Sequence, residues 1–131
     1  DLVIHLGDMT RGKILNYLEQ FPLQAVAGNM DDHIIHSRLP VKKVLPLGGF
    51  RIGLIHGWGA AGDLRNRLQN QFTDVNAIFF GHTHQPLQLV DNGLLWFNPG
   101  SVFDGRGPSR GSIGIVHVDE QLRGEIVTFQ E

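Results

Sequence analysis

The chain has 131 residues, 41% of them hydrophobic and 18% charged, with a formal net charge of −2, which suits one folded domain with its own core. Its Lys and Arg residues are dispersed, so bulk charge gives no sign of a nucleic-acid partner, and no apolar run approaches the roughly 20 residues that span a bilayer. There is no cysteine, which excludes disulfides, thiolate zinc sites and a cysteine nucleophile; any bound metal must be held by nitrogen and oxygen.

The chain opens on Asp1, inside the apolar run "DLVIHLGD", with neither an initiator Met nor a targeting segment ahead of it. The expectation is a single domain, residues 1–131, that is incomplete at its N-terminus, and a cytoplasmic location. "DLVIHLGD" is short, β-branched and bounded by Gly7 and Asp8, which suits a buried strand. In "RGKILNYLEQFP", Ile14, Leu15, Leu18 and Phe21 fall at helical spacing and Pro22 closes the segment. "LQAVAGNMDD" reads as a second strand entering a polar turn, so strand, helix and strand predict a parallel pair. His33 and His36 then flank a stretch that reads as a turn.

"VKKVLPLGGFRIGLIHGWG" predicts two strands joined at Gly48-Gly49, the second ending at His56-Gly57. A helix follows in "AAGDLRNRLQNQF", with Leu64, Leu68 and Phe72 in register, and "VNAIFFGHTH" returns as a short buried strand. Beyond Pro86 the texture changes to hairpins: "LQLV" and "LLWF" across Asn92-Gly93, then "SIGIVHVD" and "RGEIVTF". The fold expected is α/β, parallel in its first half and antiparallel in its second.

Placed on that frame, the polar residues gather. Asp8, Asn29, His56, and His82 with His84 each follow an apolar run and stand near a glycine. Ligands of open α/β sheets bind outside the carboxyl ends of the strands, so these side chains are expected to converge on one crevice. Alternate residues of an extended "HTH" segment would point His82 and His84 the same way. Singly, each has an ordinary explanation: Gly-Asp and Gly-Asn are turn residues first, and a histidine at a strand end is more often a hydrogen-bonded structural residue. Jointly, metal-capable nitrogen and oxygen side chains on successive strand ends are hard to assemble from turn chemistry. His5 reads as a core residue and His117 as part of an alternating strand, with His33 a reserve candidate close to Asn29.

"HLGDMT", "GNMDD", "LIHGW", "GHTHQP" and "FNPGSV", in that order, resemble the motifs of the calcineurin-like metallophosphoesterases, most of all their small single-domain phosphodiesterase branch, over nearly the whole chain. The resemblance implies a four-layer αββα sandwich with a pair of divalent cations on the sheet edge. Asp8 would bridge the two, Asn29, His56 and His82 would complete one, and His84 would bind the other. Asn98, Gly100 and Ser101 would shape the substrate mouth, with Arg106 or Arg110 reaching a phosphate. Manganese is the first expectation for the ion, zinc, iron and nickel also suiting such donors. The implied reaction is hydrolysis of a small phosphodiester by a metal-bridged hydroxide, the cations about 3.5–4 Å apart neutralising charge as it develops.

Two departures from the family pattern stand out. Its first motif, Asp-x-His, is absent and is expected upstream of Asp1, which removes two ligands from the ion bound by His84. Many relatives also carry His where Met30 stands, and a thioether has no proton to donate. Two other readings stay open. A protein-binding scaffold, as in the retromer subunit of this fold, is one. A mononuclear zinc hydrolase of the metallo-β-lactamase type is the other, although "HTHQPL" lacks the Asp-His that should follow. Self-association also stays open.

Overall fold

A computed structural model describes residues 1–102 and 111–129. In chain order the elements are β1 (Val3–His5), α1 (Gly12–Leu18), β2 (Leu23–Ala25), α2 (His33–Arg38), β3 (Lys42–Leu47), β4 (Phe50–Ile55), a 3-10 turn (Ala61–Asp63), α3 (Leu64–Gln69), β5 (Ala77–Phe80), β6 (Leu87–Asp91), β7 (Leu94–Asn98), β8 (Ser112–Val118) and β9 (Leu122–Thr128). The fold is mixed α/β, as expected.

The strands form a five-stranded sheet in the order β3-β4-β5-β7-β6 and two two-stranded sheets, β1-β2 and β8-β9. β1 and β2 are parallel, as the strand-helix-strand pattern requires. A parallel first half and an antiparallel second half is too simple a division. β3 and β4 are an antiparallel hairpin about Gly48-Gly49, whereas β4, β5 and β7 run parallel to one another. The β6–β7 hairpin is the reason: it turns at Asn92-Gly93 and brings β7 back beside β5, in the same direction.

Three apolar clusters hold these elements together. Leu15 of α1 and Ile35 of α2 pack with Ala25 and Ala27 at the end of β2. Ile4, Leu6 and Val26, from the first small sheet and its loops, meet Ile52, Leu54, Phe79 and Phe97 of the large sheet, joined there by Val116, Leu122 and Ile126 of β8 and β9. On the opposite face Ile55, Ile78, Phe80 and Trp96 pack against Leu64 and Leu68 of α3. Each fully buried Leu, Ile or Phe is worth about 1.5–3 kcal/mol, so the strands are pinned at their apolar centres and their carboxyl ends are free to carry polar side chains. Among the described residues no helix is long and apolar enough to cross a membrane.

α2 replaces the turn expected around His33 and His36. The sequence gives it no long apolar stripe; its start is fixed by Asp32, whose Oδ1 accepts the Ile35 N–H at 3.0 Å while Oδ2 accepts the Gly12 N–H at 3.3 Å. One carboxylate therefore caps α2 and ties it to the start of α1.

Candidate metal centre

The carboxyl ends of β1, β2, β4, β5 and β7 supply the candidate residues. Leu6, just past β1, presents its carbonyl oxygen to His56 Nδ1 at 2.7 Å, and the Gly81 N–H bonds the His56 carbonyl at 3.0 Å. The edges of the small and the large sheet are thereby joined through one histidine. Because a carbonyl oxygen only accepts, Nδ1 carries the proton, and Nε2 faces away toward Asp8 Oδ2 at 3.1 Å. Burial pushes the His56 imidazole below its ordinary 6.5, against the opposing pull of the Leu6 carbonyl and Asp8. In the neutral form, the buried Nε2 has no hydrogen-bond partner and points a lone pair at a carboxylate oxygen. Two acceptors at that distance repel unless a cation lies between them.

The rest of the Asp8 carboxylate is fixed. Its Oδ1 accepts the Met30 N–H at 2.7 Å. Two glycines permit this approach. A Cβ on Gly28 would sit 2.3 Å from Asp8 Oδ1, and one on Gly7, whose φ is +102°, would sit 2.7 Å from His56 Nδ1. Asp8 itself has φ 61°, and His82 and His84 have φ 69° and 60°. Non-glycine residues in this region cost about 1–3 kcal/mol each and gather where a functional geometry is imposed on the chain.

The left-handed φ values also correct the expected route by which His82 and His84 share an edge. β5 ends at Phe80, and His82 lies on a bend beyond it with His84 in the irregular chain that follows, instead of alternating along an extended strand. The His82 ring stands edge-on to His56, with centroids 5.4 Å apart, and its Nε2 lies 2.9 Å from the Gly59 carbonyl. His84 is half-buried, and Asn29 is exposed at the turn after β2. Among the described residues, no three His, Asp or Glu side chains converge on a single point. Asp8 and His56 are the pair already in ligand geometry.

Asn98, expected at a substrate mouth, is fully buried. Its amide nitrogen donates to the Gly81 carbonyl at 3.2 Å and to Thr83 Oγ1 at 3.0 Å, and its oxygen accepts the Gly100 N–H at 2.9 Å. It therefore holds the histidine-bearing bend from behind, because β7 lies directly beside β5. Gly100 has φ +81° and Ser101 is half-buried. Arg106 and Arg110 lie outside the described residues.

Asp31 is the residue the sequence reading passed over. Its Oδ2 accepts the N–H of Asp8 at 2.9 Å and of Gly28 at 2.7 Å, and its Oδ1 accepts that of Thr10 at 2.6 Å. One nearly buried carboxylate thus clamps the loops after β1 and β2 to each other. The signal was weak: Asp31 falls in the polar turn predicted after the second strand, where an acidic residue is ordinary. His5, read as a core residue, stands behind the site: its Nδ1 accepts the Gly7 N–H at 3.1 Å, and burial lowers its pKa.

Comparison with known proteins identifies the family of the chain. The calcineurin-like phosphoesterase superfamily domain matches residues 1–121. A protein of Methanocaldococcus jannaschii named a probable metallophosphoesterase is 34% identical over 135 residues, covering all of this chain and 68% of its own length. The solution structure of a Thermotoga maritima protein shares 38% identity with a TM-score of 0.76, over 98% of this chain and 80% of that one. Vps29 of Entamoeba histolytica, solved with bound Zn²⁺, is similar in fold alone, at 23% identity and a TM-score of 0.73 over 99% of this chain and 83% of its own. The chain belongs to the calcineurin-like phosphoesterase superfamily, whose metallophosphoesterases work with divalent metal ions.

Proposed function

We propose that the protein is a metal-dependent phosphoric ester hydrolase acting on phosphodiesters. The observation that carries this reading is the buried His56 Nε2 facing Asp8 Oδ2 at 3.1 Å; with the ring proton held on Nδ1 by the Leu6 carbonyl, the two are a pair of acceptors that calls for a cation. Asp8 and His56 would hold a first ion, with Asn29 and His82 completing its donors and His84 serving a second ion that Asp8 shares. Nitrogen donors favour manganese, zinc, iron or nickel over magnesium or calcium, and manganese is the first choice. When bound, such cations lower the pKa of a coordinated water and neutralise charge on the phosphoryl group.

The chain's own residues do the positioning. Asp31 fixes the backbone on both sides of Asp8, the Leu6 carbonyl fixes the His56 tautomer, and Asn98 fixes the bend that carries His82 and His84. Such supports commonly change metal affinity or activity by 10–100-fold when lost. Met30 is 66% exposed beside the centre and offers no proton to a leaving group. Good leaving groups, such as phenolates, are therefore the better substrates.

The test is release of 4-nitrophenolate from bis(4-nitrophenyl) phosphate with added Mn²⁺. Turnover that is lost on chelation, restored by metal and absent in Asp8→Ala supports the reading. A folded, metal-saturated protein that hydrolyses no phosphoester refutes it and favours a protein-binding platform of the same fold.

A further inference from the structure

His82 also lines a groove of about 640 Å³, between the start of α3 and the segment from Thr83 to Leu87. We infer that this groove binds the organic substituent of the substrate and selects esters that carry an apolar ring. The inference rests on the phosphoesterase reading above, which places the phosphoryl group at Asp8 and His56.

His82 is the shared wall: its ring stands 5.4 Å from that of His56, centroid to centroid, and it also lines the groove. A group attached to a phosphate at the centre would enter the groove after passing a single imidazole. Pro86 and Leu87 supply apolar surface over the buried Leu64 and Phe80, and Thr83 and Gln85 add polar groups to the lining. Among the described residues that line it, Arg65 carries the only formal charge. With no carboxylate on its walls, the groove does not repel an anionic ester. Arg65 is 45% exposed; its guanidinium already lies over the Trp96 ring, 5.9 Å from the centroid, and its carboxylate neighbour Asp91 is 3.8 Å away across solvent. Exposed pairs of that kind hold weakly, so the guanidinium can turn toward an aromatic guest, with which it stacks favourably. The volume falls within the roughly 300–1,000 Å³ of small-molecule sites.

The test is binding of phenylphosphonate and methylphosphonate, which carry no ester to cut, to the Zn²⁺-loaded protein, followed by ¹H–¹⁵N NMR. Phenylphosphonate is expected to shift the amides of Gly59, Leu64, Thr83 and Leu87 and to bind at least tenfold tighter than methylphosphonate. Ala61→Trp, an exposed substitution that fills the groove without touching the centre, should remove that tenfold preference and leave methylphosphonate binding within twofold. Arg65→Ala should reduce the preference several-fold, which serves as a second reading if Ala61→Trp misfolds. Equal affinities for the two phosphonates, or a preference untouched by both substitutions, would overturn the assignment. Hydrolysis of bis(4-nitrophenyl) phosphate is followed in the same proteins reloaded with Mn²⁺. Absence of turnover there contradicts the phosphoesterase reading, whereas the groove stands or falls on binding alone.

Discussion

Asp31 offers the most demanding prediction, because its carboxylate organises the centre without itself being a candidate ligand. Asp31→Ala removes the acceptor of three backbone N–H groups, those of Asp8, Thr10 and Gly28. A hydrogen bond to a charged acceptor is worth about 1.5–3 kcal/mol, and a buried donor left unsatisfied costs a similar amount. The Gly28 N–H is buried, while those of Asp8 and Thr10 are partly buried and can reach water in the variant. The expected loss therefore falls below the full sum of three such bonds, at about 3–5 kcal/mol, a large share of the roughly 5–15 kcal/mol that holds a domain folded. Asp31→Asn is milder. Its carbonyl can take the place of Oδ2 and keep two of the bonds, while its NH₂ meets the Thr10 N–H donor to donor, costing about 1.5–3 kcal/mol. Urea unfolding followed by fluorescence of Trp58 and Trp96 gives the stabilities, and Mn²⁺ titration gives the affinity, which should fall at least tenfold in Asp31→Ala. An alanine variant within about 1 kcal/mol of wild type with unchanged metal affinity refutes the clamp, since the loss of one charged hydrogen bond alone exceeds that figure.

Three further outcomes are expected. Asn98→Ala leaves the Gly100 N–H without its acceptor and Thr83 without its donor, so stability should drop by about 2–3 kcal/mol and turnover should fall more than substrate affinity, as steady-state kinetics can show. Asp32, whose carboxyl is held below its ordinary 3.8 chiefly by the Ile35 N–H, contributes stability that is present above that ordinary value and is lost as pH falls through the lower folded one; the urea midpoint should decline less between pH 5 and 3 in Asp32→Asn, which keeps the cap and has no charge to lose. Met30→His should raise kcat/KM for alkyl phosphodiesters more than for aryl ones, within the about 10²–10⁴-fold reach of general acids; an unchanged ratio assigns the proton to another source.

Much of the frame was legible because strand and helix periods are written in apolar residues. The runs ending at His5, Ile55 and Phe80 are short, apolar and bounded by glycine, and each proved to be a strand whose end carries a candidate ligand. α2 was not legible, since "HIIHSR" puts just Ile35 in the core and so shows no apolar stripe; a six-residue helix is declared by its Asp32 cap more than by its pattern. The bend of His82 and His84 escaped for a related reason: left-handed backbone at two histidines is imposed by Asn98 from a neighbouring strand, and no local preference encodes it. Asp31 and Asn98 act through their long-range bonds, to residues between 15 and 23 positions away, which periodicity cannot reveal.

The proposed function requires a cation between Asp8 Oδ2 and His56 Nε2. Anomalous scattering from crystals of the protein soaked in Mn²⁺ tests it directly. A peak within coordinating distance of both atoms, about 2.0–2.2 Å for such donors, and lost in Asp8→Ala, is the predicted result. Saturating Mn²⁺ that leaves no density between these two residues, in crystals where both are well ordered, would contradict it.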